Sequence, residues 1–315
     1  MEGAGRSGPR QELSEQPLRR WLSIERGQTL VIVAVVLVVL VAFLALVLDM
    51  GNIYAQRRRV QNAADAGALA GARALALIQV SSSIESAIRE YTVTRNGADS
   101  YSATILTRTV VVTASKAFST YFASIVGVPS FSVWASATSG YGFPGAWQGG
   151  LLPTAVHTAA VVLDRDIEIW DDAKTASNPS AGVFADGQRG WLNFNGGNVS
   201  NSELVYWVTY GWSGTVNVGM WINGDPGTRT SALHAMDVVR TRTIVFVPIY
   251  DVVRPGVMGN GQIDYHIVAF GAFYVQQVVD TGSPKLVKGR FIRYVAPQEG
   301  GGTYDTGVRV IGLQR

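Results

Sequence analysis

An unbroken apolar run near the N-terminus constrains this chain more than any other feature. Residues 30–48 are 19 consecutive Leu, Val, Ile, Ala and Phe residues. As a helix the run would be about 28 Å long, close to the roughly 30 Å hydrocarbon core of a bilayer. We therefore predict a transmembrane helix over residues 28–49 with membrane lipid as its partner. Positions along the predicted span include Leu30, Val35, Leu40, Phe43 and Leu48.

A cleavable secretory signal is the alternative for this run, since Arg19, Arg20 and Arg26 could form its positive region. Signal sequences carry apolar stretches of about 7 to 15 residues and end in a small-x-small cleavage site. This run is longer and is followed by Asp49-Met50-Gly51-Asn52. An uncleaved anchor is therefore the favoured interpretation.

Basic residues lie on both sides of the predicted span, so charge counting alone does not orient it. Arg26, Arg57, Arg58 and Arg59 are the predicted juxtamembrane anchors, and residues 1–27 the predicted cytoplasmic segment. Residues 1–140 carry 13 Lys and Arg against 9 Asp and Glu and residues 141–315 carry 13 against 14, so the excess behind the net charge of +3 lies in the first part. Lipid headgroups account for that excess. Without a basic face interleaved with aromatic residues, we expect no nucleic-acid partner.

The helix is expected to continue beyond the membrane to about Ser81, because Ala, Leu, Arg and Gln dominate the following residues. A stripe of mostly small side chains recurs there every three or four residues. We expect this stripe to pack against the chain's own sheet, and a helix–helix assembly face is the alternative. Its members are Val60, Ala64, Gly67, Gly71, Ala74 and Ile78.

Residues 50–140 are predicted to form a membrane-proximal domain of one long helix backed by a small sheet. A short helix is expected at 84–91, and alternating β-branched residues at 101–106 and 109–113 predict a hairpin. Residues 118–125 are predicted to be helical and 131–137 to form a strand.

The quoted residues resemble a known family. The segment Glu25-Arg26-Gly27-Gln28-Thr29-Leu30, the Val-rich span and Asp49-Met50-Gly51 with Tyr54 are followed by Arg57-Arg58-Arg59-Val60-Gln61-Asn62-Ala63-Ala64-Asp65-Ala66 and Ala68-Leu69-Ala70-Gly71-Ala72. Together they look like the N-terminal segment of TadG-like proteins of the Tad/Flp pilus-assembly system. The resemblance implies a single-pass envelope protein related to pseudopilins, with its C-terminal part outside the cytoplasmic membrane. Other Tad/Flp assembly proteins or pilin-like helices would be its partners.

Two features of related proteins are missing from the sequence. Prepilins and TadE-like pseudopilins carry a Glu five residues after the cleaved Gly, and counting from Gly27 that position is Ile32. Retention of the N-terminus, and thus an anchored assembly factor, is favoured over a processed filament subunit. The Asp-x-Ser-x-Ser motif of von Willebrand A domains is also absent, since Asp164-Arg165-Asp166 and Asp171-Asp172 lack the serines.

Residues 141–150 are predicted to be a Gly-rich linker into a β-rich domain over 151–315. Strands are expected at 159–163, 167–170, 215–218, 244–250, 265–279 with Gly271 as a candidate break, and 286–295. Ser200 and Glu203 have the spacing of a capping box before a helix at 204–208. Thr230 or Ser231 is expected to cap a second helix at 232–239.

Signals for catalysis or cofactor binding are weak. The three histidines, His157, His234 and His266, lack metal-site spacing, and the chain has no Cys. Carboxylate pairs that a hydrolase could use are Asp251 with Asp264 and Asp164 with Glu168. A calcium site at Asn193, Asn195, Asn198 and Asp186 lacks the Glu of an EF-hand loop. Core and turn packing is favoured over ligand binding for Trp191, Trp207, Trp212 and Trp221.

We therefore expect an α+β protein with no catalytic residues, cofactor or metal: a transmembrane helix, a pilin-like domain of helix and small sheet, and a mainly antiparallel β domain with two short helices. Its predicted role is that of a pseudopilin-like component or assembly factor that presents an extracytoplasmic binding domain. The alternatives are a membrane-anchored cell-wall or glycan hydrolase and a processed surface filament subunit.

Overall fold

A computed structural model describes residues 25–171, 190–256 and 262–314. The chain divides into two compact units. The first comprises residues up to 58 together with 117–133, and the second comprises 59–116 together with 134–315. The α+β class is confirmed, since a long apolar helix is followed by mostly β structure with a few short helices.

One long helix, α1 (Glu25–Ala76), carries both the predicted span and the predicted stripe. It ends five residues before the expected end. In the second unit α2 (Ser81–Arg89) follows and runs into a π-helical turn at Glu90–Thr94. The short helix predicted at 84–91 is thus confirmed.

The first sheet begins with the predicted hairpin. Strand β1 (Ser100–Ile105) pairs antiparallel with β2 (Thr109–Ser119), so the hairpin is confirmed. The helix predicted at 118–125 is wrong, because β2 continues to Ser119 and only a 3-10 turn forms, at Ala123–Val126. Short apolar runs do not distinguish the two states by periodicity, and here strand pairing decides.

The linker predicted at 141–150 is also wrong. Strand β3 (Ser130–Pro144) runs through its first part, and β4 (Ala146–Gln148) occupies its middle. The last strand of the described chain, Val308–Gln314, pairs with β3 over residues 138–142. Gly140 lies opposite Gly312 there, and a Cβ on Gly140 would come within 2.9 Å of the Arg108 carbonyl oxygen. Gly140 therefore allows a close approach of backbone, whereas nothing lies within 4 Å of a Cβ on Gly312.

The second unit also contains a larger sheet, ordered β5-β10-β11-β12-β6, with β9 added beside β11 and β7 beside β9. Its strands are β5 (Val156–His157), β6 (Asp166–Asp171), β7 (Trp191–Asn193), β9 (Trp221–Asp225), β10 (Ile244–Pro255), β11 (Ile263–Val279) and β12 (Leu286–Phe291). Strand β8 (Thr215–Asn217) pairs with β4. The first sheet is completed by β13 (Tyr294–Val295), β14 (Gly300–Gly302) and β15, the strand at Val308–Gln314.

Two predictions within the larger sheet are wrong. Residues 159–163 do not form a strand, since a 3-10 turn occupies Thr158–Ala160. The candidate break at Gly271 is absent, and β11 is continuous. A Cβ at Gly271 would lie 2.5 Å from the Phe291 ring, so this glycine makes room for an aromatic side chain.

Both faces of the larger sheet are buried. Helices α3 (Asn201–Tyr210) and α4 (Thr230–Arg240) contribute to the core cluster that contains Val247 and Phe273, whereas Phe270 belongs to another cluster with Trp147 and Tyr265. Burial on both faces explains why the strands read as nearly continuous apolar runs.

The two helices differ in how they begin. Ser200 caps α3 in a complete capping box, as predicted, and the hydrogen bonds from the Ser200 amide and hydroxyl lower the pKa of Glu203. The capping predicted for Thr230 or Ser231 is wrong. Arg229, with a left-handed φ of 48°, precedes α4 and pairs with Asp225 at 2.6 Å.

Arg309 joins the last strand to the end of α1. Its Nη1 donates to the Ala76 carbonyl oxygen at 2.6 Å and its Nη2 to Asp305 at 2.9 Å, while the guanidinium lies 4.4 Å from the centroid of the Tyr141 ring. Arg309 is only 3% exposed. A cation at a helix C-terminus satisfies a terminal carbonyl and complements the helix dipole.

We expect Arg309→Met to lower the free energy of unfolding by about 1–3 kcal/mol, because it leaves the Ala76 carbonyl oxygen without its buried donor. Arg290→Met is the matched control. Arg290 is 45% exposed and its Nε lies 3.7 Å from Asp166, so its loss should cost at most about 1 kcal/mol. Thermal unfolding of the detergent-solubilised full chain, followed by circular dichroism, measures both. Equal losses would contradict the role of Arg309.

Candidate membrane anchor and its junction

Residues 30–48 expose apolar side chains on every side of α1. Within the first unit Leu30 is 72% exposed, Phe43 63% and Leu48 47%, and Ala45 alone in this run is half-buried. A helix that is apolar all round requires an apolar environment, which no protein element described in this unit supplies. The helix is long and apolar enough to cross a membrane. Val35 and Leu40, also exposed, complete the predicted span residues.

The apolar run is followed directly by Asp49, a carboxylate for which the sequence predicted no structural role. Asp49 is 6% exposed and accepts hydrogen bonds from the backbone amides of Tyr121 at 2.8 Å, Phe122 at 3.1 Å and Ala123 at 2.7 Å. These amides precede or begin the 3-10 turn at Ala123–Val126, so Asp49 satisfies donors that a helical start leaves open. The available signal was a lone acidic residue directly after an apolar run.

The arginines after the span are exposed. Arg57, Arg58 and Arg59 all lie on the solvent-accessible surface of α1. Arg57 follows Asp49 by eight positions, which is about 12 Å along the helix. For a span that ended at Asp49, this distance would exceed the thickness of one headgroup layer, roughly 5–8 Å. The Arg26 side chain lies outside the described residues, as do residues 1–24.

The stripe packs inside the second unit. Val60 is 1% exposed, Ala64 0% and Ala74 4%, and Gly67 and Gly71 are buried as well. Ile78 is the exception, because α1 ends at Ala76 and Ile78 is 58% exposed with a positive φ of 53°. It is therefore not part of the packed face.

The glycines of the stripe allow α1 to approach its neighbours. A Cβ on Gly67 would lie 2.0 Å from Thr92 Oγ1, and one on Gly71 would lie 2.8 Å from Ile88 Cγ1. Thr92 belongs to the π-helical turn and Ile88 to α2, so the stripe contacts these helices. A Cβ on Gly71 would also lie 3.0 Å from Val110 Cγ1 in β2, so the stripe contacts the sheet as well as these helices.

The carboxylate pairs considered for a hydrolase are held by other groups. Asp264, 3% exposed, accepts from Arg254 Nε at 3.0 Å and from Asn223. Asp251 contacts His266 Nδ1 at 2.7 Å. Asp164 pairs with Arg293. Glu168 lies in β6.

Two buried tyrosines lie near the Asp251 and Asp264 carboxylates in sequence, and burial raises the pKa of both Tyr250 and Tyr265. They therefore remain protonated in the folded protein at neutral pH. Their rings pack edge-to-face with centroids 4.8 Å apart, which is the geometry of core aromatics.

Within the described residues no group of three or more His, Asp or Glu side chains could hold a metal ion. Asn193 donates to the Gly197 carbonyl oxygen and accepts from the Asn195 amide, which is a local turn arrangement. Asp186 and Asp172 lie outside the described residues, as does the side chain of Asp171.

The four tryptophans singled out in the sequence take packing positions. Trp191 and Trp207 are buried, at 0% and 7% exposure. Trp212 stacks on Phe194 with ring centroids 4.4 Å apart. Trp221 is partly exposed, with the Arg254 guanidinium 4.2 Å from its ring centroid.

Comparison with known families identifies the N-terminal segment. Residues 27–74 match the family model Tad, described as putative Flp pilus-assembly TadE/G-like. The chain thus carries a TadE/G-like segment, as its residues indicated. The match covers the apolar run, Asp49, Arg57–Arg59 and the stripe as far as Ala74. No curated protein and no solved structure matches the chain.

We expect Gly67→Ala to destabilise the full chain by about 1–3 kcal/mol, because the added Cβ overlaps Thr92. Gly71→Ala should cost less, since its nearest contact, Ile88 Cγ1 at 2.8 Å, overlaps the added Cβ less closely. Gly51→Ala is the control on the same helix: nothing lies within 4 Å of its Cβ position, and alanine favours helix. Thermal unfolding in detergent should give the order Gly67, Gly71, Gly51. A Gly51 variant as unstable as the Gly67 variant would contradict this packing.

We expect Asp49→Ala to speed hydrogen exchange at the amides of Tyr121, Phe122 and Ala123, because their acceptor is lost. Mass spectrometry of peptides covering residues 117–126 in the solubilised full chain measures it. Asp65→Ala is the control, since Asp65 on the same helix accepts from Gln61 at 2.8 Å and bonds no residue of this loop. Unchanged exchange in the Asp49 variant would contradict the assigned hydrogen bonds.

Proposed function

We propose that this chain is a single-pass component of Tad/Flp-type pilus assembly in the cytoplasmic membrane. Its N-terminus faces the cytoplasm, and residues 50–315 lie outside and act by binding. One observation carries the proposal: the TadE/G-like match covers the same stretch of α1 whose apolar side chains are exposed all round. The chain acts as a retained assembly factor rather than a cleaved filament subunit, in keeping with Ile32 at the position of the prepilin Glu.

Binding, rather than hydrolysis, is the activity that fits the second unit. A general acid and a general base need carboxylates free to exchange protons with a substrate. Asp264 already forms hydrogen bonds with Arg254 and Asn223, and Asp251 forms one with His266. Asp251→Asn is therefore the sharper test of the hydrolase alternative, since Asp251 is 39% exposed and its loss should not unfold the chain. Normal pilus production by this variant is the expected result.

Under this proposal two surfaces of the chain bind partners. The apolar helix packs with pilin-like helices within the membrane, while the β-rich part meets assembly proteins or an external surface. An exchange of residues 30–48 for an apolar helix of equal length from an unrelated protein separates these contributions. Partners lost on exchange bind through the span, and partners retained bind through residues 50–315.

Topology and partnership are tested together in cells that make the pilus. Because the chain has no Cys, single-Cys variants report position without background. A membrane-impermeant maleimide should label Val238→Cys, 70% exposed on α4, in spheroplasts, and Ser14→Cys only after lysis. Co-purification of the solubilised full chain should recover a pilus-assembly platform protein or ATPase. Reversed labelling, or recovery of neither component, would overturn the proposal.

A further inference from the structure

The loop held by Asp49, residues 120–131, exposes large apolar side chains. Ile125 is 80% exposed and Tyr121 67%, and Val128 and Phe131 are each exposed by more than a third. No Asp, Glu, Lys or Arg occurs between Lys116 and Asp164, so the loop carries no charged side chain. An uncharged apolar surface of this kind is unfavourable in water and typical of a contact surface.

Asp49 places part of this loop where the apolar run ends. The residue directly follows Leu48, and helical side chains lean towards the N-terminus, so its carboxylate lies beside the last turn of the run. The amides of Tyr121, Phe122 and Ala123 contact that carboxylate within 3.1 Å. The start of the 3-10 turn is therefore held level with the end of the apolar run.

The loop also satisfies much of its own backbone. Besides the three amides bound to Asp49, four more amides bond carbonyl oxygens inside the loop at 3.0 to 3.2 Å. These bonds run from Thr120, Ile125, Gly127 and Val128 to Pro129, Phe122, Ser124 and Ala123, respectively. The Thr120 hydroxyl donates to the Val128 carbonyl oxygen at 2.6 Å. Irregular backbone enters a region of little water only when its polar groups are satisfied in this way.

We propose that residues 120–131 insert into the lipid interface beside the span as a second membrane contact. Tyr121 and Ile125 lie among headgroups and the first acyl carbons, and Asp49 ties them to α1. Lipid is the occupant because the patch is continuous with the apolar run and lacks the charges that would keep it in water. The inference rests on the proposed function in one respect, that residues 28–49 span the membrane.

Depth-dependent fluorescence quenching tests the insertion. The full chain with Ile125→Cys, labelled with an environment-sensitive fluorophore, is reconstituted in vesicles containing nitroxide lipids. Quenching should be stronger with the nitroxide near the headgroup than at the bilayer centre, as for a segment about 5–10 Å deep. It should exceed that of labelled Val238→Cys, similarly exposed on α4, by at least about twofold.

Labelled Leu40→Cys separates failure of the loop from failure of the span. Leu40 should be quenched most by the nitroxide at the bilayer centre. If it is, and Ile125→Cys behaves like Val238→Cys, the loop insertion is overturned while the span stands. If Leu40→Cys is not quenched, the span itself is wrong. Blue-shifted emission from Ile125→Cys without lipid quenching would mean a protein contact and would also overturn the insertion.

A second variant links the insertion to Asp49. In Asp49→Ala the three amides lose their acceptor, so headgroup quenching of labelled Ile125→Cys should fall towards the Val238→Cys value. The Asp65→Ala background should leave it unchanged. Quenching that persists in the Asp49→Ala background would show that the carboxylate does not position the loop, and would overturn that part of the proposal.

Discussion

The structure depends on an apolar helix that no described part of its own unit covers. Nineteen consecutive apolar residues, all exposed except the half-buried Ala45, would be strongly unfavourable in water, at roughly 25 cal/mol per Å² of apolar surface. The helix is long and apolar enough to cross a membrane, and its apolar run lies within the segment that matches the TadE/G-like family model.

The junction at Asp49 shows how such a chain can leave the apolar run. A carboxylate at the edge of a bilayer is costly unless hydrogen bonds satisfy it. Here three backbone amides of a distant loop supply those bonds, and the carboxylate in turn satisfies amides at the start of a 3-10 turn. One side chain thereby connects the end of the span to a segment more than 70 residues later in the chain.

Within the second unit, close packing depends on glycines, because they have no side chain to fill the space that a neighbour occupies. Gly67 and Gly71 let α1 approach α2 and the π-helical turn, and Gly271 accommodates the Phe291 ring. Arg309 then joins the C-terminal strand to the end of α1 through the Ala76 carbonyl oxygen. The first sheet includes strands from both the middle and the end of the sequence, because β15 pairs with β3.

Local patterns in the sequence were sufficient to predict the long apolar helix, the hairpin of β1 and β2, the α3 capping box and the TadE/G-like segment. Each of these depends on neighbouring residues: an apolar run, a two-residue alternation, a three-residue spacing or a short motif. Residues 118–125 and 141–150 were predicted wrongly because pairing between strands decides their state. Non-local contacts also determine the role of Asp49, the pairing of β15 with β3 and the burial of Arg309. Their partners lie far apart in the sequence, and only the folded chain brings them together.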